Sequence, residues 1–110
     1  MFNAKYKASY VNDDLYKRID EFWEWFLFER KNLEKMIDEK NRQVFPILER
    51  ELLKVFRERK SMPLALGYKE EVYHFFIYYG HNSYLMTLGD ELYGRMPKSL
   101  KGKWMLMIEK

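Results

Sequence analysis

The sequence contains no cysteine, and this absence excludes several kinds of site. Disulfide bridges, thiol nucleophiles and thiolate metal centres all require cysteine, so the chain has none of them. Glycine is scarce as well, and because the five glycines are isolated, the glycine-rich loop that binds phosphates is missing. No serine lies in the Gly-x-Ser-x-Gly turn of a hydrolase.

Long apolar runs and a large charge of one sign are also missing. No stretch approaches the roughly 18–20 apolar residues that a membrane helix needs. The first ten residues alternate apolar residues with lysine, so we expect no signal peptide there. The net charge is only +3, from 20 basic and 17 acidic residues that are interleaved along the chain. We therefore expect a cytoplasmic protein without a membrane segment, and a pI near 9.0 does not by itself indicate nucleic-acid binding.

Aromatic residues, by contrast, are abundant, at 18% of the chain. They are most concentrated in residues 72–79, which read Val-Tyr-His-Phe-Phe-Ile-Tyr-Tyr and carry no charge. This composition predicts a strand. Both alternating sets of side chains are apolar, so the strand is either covered on both faces or exposes one face as a binding surface.

The rest of the chain predicts helices before and after a hairpin. Asn12 or Asp13 caps a helix that runs to about Lys40, with a potential break near Asn32. Pro46 lies in the first turn of a second helix that runs to about Arg59. Residues 64–68 and 72–79 form an antiparallel hairpin with a turn at 69–70. A third helix, capped by Asn82 or Ser83, precedes a buried strand at residues 104–108, which we expect to run parallel to residues 73–79.

This order predicts a single α+β domain over residues 1–110. The sheet is small and antiparallel-rich, with three or four strands and helices on one face, in a ferredoxin-like layout. The number of strands depends on residues 1–11, which are predicted either as an edge strand or as a disordered tail.

Candidates for catalysis and metal binding are weak. The two histidines, His74 and His81, lack the third and fourth ligands of a metal site unless Asp90 or Glu91 joins them. Adjacent carboxylates occur several times, but at helix starts, on polar helix faces or in a turn, where they are typically solvated. We therefore predict no catalytic residue, no metal and no cofactor.

Two aromatic motifs carry a resemblance. A Phe-Trp-x-Trp-Phe segment at residues 22–26 and a Met-Pro-x-x-Leu-x-Gly-x-Trp segment at residues 96–104 look like those of a group of small uncharacterised bacterial proteins. The resemblance covers roughly residues 21–108 and rests mostly on packing residues. It implies an α+β sandwich in a bacterial cytoplasm, and it implies no activity and no catalytic residue.

The functional prediction is a non-catalytic protein-binding module, small and regulatory or inhibitory, for example an immunity-type inhibitor. Its partner is another protein or a second copy, since a homodimer fits an apolar sheet face. The alternative is a single-stranded RNA-binding domain, in which strand aromatics stack on bases and Lys69, Lys101 and Lys103 contact phosphates. An uncharacterised enzyme ranks last. The predicted contact residues are Trp25, Tyr73, His74, Phe75, Tyr78 and Tyr79.

Overall fold

The computed structural model describes residues 11–109. In these residues the chain forms three α-helices, a short 3₁₀ turn and a three-stranded sheet. None of the described helices has the length and apolarity needed to span a bilayer. The elements in chain order are α1 (Asp13–Asp38), α2 (Val44–Val55), β1 (Leu64–Lys69), β2 (Val72–Tyr78), α3 (Ser83–Gly94), the 3₁₀ turn (Lys98–Leu100) and β3 (Trp104–Glu109).

The long helix α1 starts where its cap was predicted. The side chain of Asn12 accepts a hydrogen bond from the backbone N–H of Leu15 at 3.0 Å, and two aspartates follow in the first turn, at the positive end of the helix dipole. The predicted break near Asn32 is wrong, because the helix is continuous. Leu33 and Met36 extend the buried stripe past that point, so tertiary packing holds the helix together there.

Helix α2 packs antiparallel to α1. Arg18, near the start of α1, donates a hydrogen bond to the carbonyl of Val55 at the end of α2, at 3.1 Å. Pro46 lies in the first turn as predicted, where its missing N–H removes no helical hydrogen bond. The helix ends at Val55, about one turn earlier than the sequence indicated, and Arg57 and Arg59 follow outside it.

Strands β1 and β2 form the predicted antiparallel hairpin, but the turn is at Glu70 and Glu71 rather than one residue earlier. Both turn residues have positive φ, 54° and 66°. Two consecutive left-handed residues match a type I′ turn, whose twist suits a two-residue hairpin. Neither residue is glycine, asparagine or aspartate, so the usual sequence signal for this turn is absent.

Helix α3 and strand β3 complete the fold. Asn82 caps α3 by accepting from the N–H of Leu85 at 3.1 Å. Strand β3 pairs with β2 in parallel, as expected for two strands joined through a helix. A Cβ atom on Gly89 would stand 3.1 Å from the side chain of Ile108, so glycine lets α3 lie close to β3.

The architecture is therefore α+β, with a mixed sheet in the order β1-β2-β3. The buried apolar side chains form one cluster, contributed by the helices and by one face of the sheet. A fourth strand, which the ferredoxin-like layout requires, falls on residues 1–10 and so lies outside the described part of the chain.

Candidate functional site

The two faces of the sheet have different surroundings. In β2, Phe75 and Ile77 are buried against the helices, at 1% and 0% exposure. Within residues 11–109, the helices contact this alternating set and its neighbours, whereas no residue of the other set belongs to the core cluster. The strand register then assigns every residue of the sheet to a face. We call the covered surface the helix face and the other the open face, which is formed by Ala65, Gly67, Lys69, Val72, His74, Phe76, Tyr78, Met105, Met107 and Glu109.

A row of three rings runs along the centre of the open face. The centroids of His74 and Phe76 are 6.0 Å apart with an interplanar angle of 28°. Those of Phe76 and Tyr78 are 6.4 Å apart with an angle of 11°. Because these residues are spaced two apart on one strand, their rings lie nearly parallel and present one continuous aromatic ridge.

The neighbouring strands frame this ridge with contrasting residues. On the β1 side, Ala65 pairs with Phe76 and Gly67 pairs with His74, so small side chains leave one flank of the rings uncovered. On the β3 side, Met105 and Met107 stand beside the same two rings. Met105 is 45% exposed and Tyr78 is 39% exposed. The open face therefore offers flexible thioethers beside rigid rings.

The six residues predicted from the sequence to contact a partner are divided between the layers. His74 and Tyr78 lie on the open face. Tyr73 and Phe75 point to the helix face, and Tyr79, just after β2, packs against the core from the same side. Trp25 belongs to α1, where its ring is half-buried against Phe22 and Phe26, with centroid distances of 5.9 and 6.5 Å. Only two of the six therefore share the open face.

Three residues outside the six predicted contact residues also belong to the open face. Phe76 is the central ring of the row, between His74 and Tyr78. Met105 and Met107 come from β3, which the sequence predicted to be buried throughout. The alternation of Trp104 and Leu106 with the two methionines is visible in the sequence. The alternation identifies the methionines as open-face residues only once it is known that the helices cover the other side of the sheet.

On the helix face, aromatic residues of β2 and β3 end in polar contacts to α1. The hydroxyl of Tyr73 donates to the carboxylate of Asp38 at 2.9 Å, and the indole N–H of Trp104 donates to Glu34 at 2.7 Å. Desolvation and the hydrogen bond to Asp38 raise the pKa of Tyr73 to about 12. These contacts fix the sheet beneath the helix, and the raised pKa indicates a tyrosine that stays protonated.

A charged cluster joins α1 to the end of α3, away from the sheet. Arg95 donates to both oxygens of Asp20, at 2.9 and 2.7 Å, and its guanidinium lies 4.6 Å from the ring centre of Tyr16. The hydrogen bond from Arg95 lowers the pKa of Asp20, and the hydrogen bond to Glu91 raises the pKa of Tyr16. This exposed network has the features of a helix-to-helix contact, and each group in it already has a partner.

The candidates for metal binding stay apart. His74 lies within β2, and His81 is exposed in the turn after it. Within residues 11–109, no group of three or more histidine and acidic side chains is arranged to hold a metal ion.

Comparisons with protein-family models, with curated proteins and with solved structures found no match for this chain. The resemblance to small bacterial proteins in the two aromatic motifs stays a prediction. The functional reading depends on the residues of the open face themselves.

Proposed function

We propose that the chain is a non-catalytic protein-binding module of regulatory or inhibitory type, such as an immunity-type inhibitor, and that it binds its partner through the open face. The observation that carries this proposal is the aromatic row of His74, Phe76 and Tyr78, which is flanked by half-exposed methionines. Contiguous apolar surface of this kind is typical of interaction sites. Aromatic rings in such positions contribute a large share of binding free energy at low entropic cost.

The dimensions of the open face favour a compact partner element. Three strands of about six residues cover roughly 20 Å by 14 Å, which is about 300 Å² in projection. A stable interface buries about 800 Å² on each partner. The open face therefore suits one helix or a small sheet as the central contact, with further contacts at the rim from Lys69 and Glu109.

Affinity capture from the source organism tests the proposal if matched variants are compared. We expect a protein that the wild type retains to be lost with Phe76→Asp, which places a charge at the centre of the row. Tyr93→Asp is the control, because Tyr93 is also an exposed aromatic residue but lies on α3. Equal capture by all three proteins would contradict binding through the open face.

Self-association is the second form of the same proposal. Light scattering should then give twice the 13.7 kDa mass of the chain, and Phe76→Asp should return the monomer. A monomer at all micromolar concentrations would leave only a different protein as the partner.

Single-stranded RNA binding is the alternative function that the open face favours. Rings spaced along one strand can stack on successive unpaired bases, and Lys69 lies on the same face. Oligonucleotide titration should then quench tyrosine or tryptophan fluorescence with a steep salt dependence. No change in fluorescence at low salt would exclude this alternative.

The remaining sequence predictions accompany this proposal. The ferredoxin-like layout, with residues 1–11 as the fourth strand, would place a further strand at an edge of the sheet. A cytoplasmic setting and the lack of an enzymatic activity or cofactor fit a binding module. We rank an uncharacterised enzyme last among the functions considered.

A further inference from the structure

We propose that the edge of β1 that pairs with no strand among residues 11–109 is a second binding site, distinct from the open face, and that it takes an extended acidic peptide of another protein by strand addition. The proposal starts from the hydrogen-bond pattern of the hairpin. The N–H of Tyr78 donates to the carbonyl of Pro63 at 3.0 Å, which makes this a hydrogen-bonded pair. Hydrogen-bonded and non-hydrogen-bonded residue pairs alternate along an antiparallel ladder. The backbone N–H and C=O groups of Leu64, Leu66 and Tyr68 therefore point away from β2, toward this edge.

A groove lies beside these outward groups. It has a volume of about 470 Å³ and separates β1 from the turn that joins α1 to α2. This volume is within the range of roughly 300–1,000 Å³ found for ligand pockets. Its apolar wall comes from both sides and includes Met36, Val44, Phe45, Leu66 and Tyr68.

The groove and the edge fit one binding mode. A strand that pairs with β1 would place the side chains opposite Leu64, Leu66 and Tyr68 on the same side of the sheet as those residues. That side is the helix face, where the groove opens beside Leu66 and Tyr68. Main-chain bonds would then hold the peptide, and the groove would select apolar side chains at alternate positions, as in other strand-addition sites.

Charge adds carboxylates to this peptide on both of its faces, because cations lie on the groove side and on the open-face side of β1. Lys40 and Arg42 line the groove, and Lys69 ends β1. None of these three cations forms an ion pair with any residue in the range 11–109. The carboxylate of Asp38 also lines the groove, but its oxygens accept the hydroxyl of Tyr73. Carboxylates in the peptide would provide the missing counter-charges.

Charge also distinguishes an acidic peptide from two other possible occupants of this edge, a second copy of the chain and residues 2–10 of the same chain. A second copy pairing antiparallel through the same edge, with Leu66 opposite Leu66, would place Lys69 opposite Pro63 rather than opposite a carboxylate. Glu70 and Glu71 lie in the hairpin turn, beyond Tyr68, whose backbone groups are the last to point out from the edge of β1. Residues 2–10 of this chain alternate in the required way, but they include two lysines and no carboxylate.

The test uses the whole chain and a synthetic peptide in which Phe or Leu alternates with Glu or Asp and further acids flank this segment, so that carboxylates are present on both faces of the peptide. We expect saturable binding below 1 mM, with NMR amide shifts centred on β1 and the α1–α2 turn. Lys40→Glu combined with Arg42→Glu should weaken binding at least tenfold. Lys31→Glu combined with Lys98→Glu is the matched control, since both lysines are exposed elsewhere, and it should bind as the wild type does.

Backbone methylation of the peptide tests strand addition itself. Methylating one alternating set of amides should abolish binding, whereas methylating the other set should leave it nearly unchanged. Equal effects of both sets, or equal binding of a peptide with lysine in place of the acids, would overturn the proposal. So would shifts centred on the open face, or the absence of binding.

Hydrogen exchange of the protein alone gives an independent check. The amides of Leu64, Leu66 and Tyr68 should exchange freely, because they point out from the sheet. Protection of these amides without peptide would show that residues 1–10 or a second copy already occupies the edge, and the proposal would fail. Phe76→Asp should leave peptide binding intact, so this site and the open face are tested separately.

Discussion

The two faces of β2 have almost the same composition and opposite surroundings. Phe75 and Ile77 meet the helices, where the ring of Phe75 lies parallel to that of Phe26 at 6.4 Å between centroids. Phe76 and Tyr78 meet each other along the open face instead. Among the described residues, an apolar face of β2 therefore joins the core only where the helices cover it.

The largest expected difference between the faces is in stability. Phe75→Ala should lower the free energy of unfolding by about 3–5 kcal/mol, because it leaves a cavity in the core. Phe76→Ala, one residue along, should cost less than about 1 kcal/mol, because its side chain is half-buried outside the core cluster. Urea denaturation of the two variants measures the difference. Equal losses would show that the open face is packed as tightly as the helix face.

Glycine substitutions compare the space available on each face. Gly67→Ala should stabilise the fold by about 0.5–1 kcal/mol, since a Cβ there points to the open face and meets nothing within 4 Å. Gly89→Ala should destabilise the fold, because its Cβ would lie 3.1 Å from the side chain of Ile108. Thermal melts of both variants, and of Gly89→Ala with Ile108→Val, check this. The double variant should recover part of the loss, and no recovery would assign the loss to another contact.

A third difference appears only at high pH, and it concerns the polar contact between Tyr73 on the helix face and Asp38. Folding raises the pKa of Tyr73 to about 12, above the ordinary 10.0. The stabilisation is complete below pH 10 and is lost as the pH rises through about 12, because the unfolded chain releases this proton first. Tyr73→Phe should therefore show a shallower loss of stability over that interval. Identical pH slopes for wild type and variant would contradict the contact with Asp38.

Much of the fold could be predicted because local signals were strong. Asn12 and Asn82 cap helices where capping residues precede apolar stripes, and the hairpin follows from two runs of strand-forming residues. The type I′ turn at Glu70 and Glu71 could not be predicted, because strand register rather than turn chemistry imposes it. The continuity of α1 through Asn32 likewise depends on tertiary packing.

The candidate site was predicted only in part, for a physical reason. Sequence alternation separates the two faces of a strand but does not say which face the helices cover. When both alternating sets of side chains are apolar, as in β2, the path of the chain in three dimensions decides which set the helices cover. Of the six predicted contact residues, His74 and Tyr78 lie on the open face, and Met105 became visible as a neighbour only through the register of β3.

Thiol labelling measures the difference between the faces most directly, since the chain has no native cysteine. We compare Met105→Cys on the open face with Leu106→Cys on the helix face. In the folded protein, the first should react with a maleimide nearly as fast as a free thiol. The second should react only at the rate of unfolding. Protection of both positions in the folded protein would contradict an open face, and fast labelling of both would contradict the covered one.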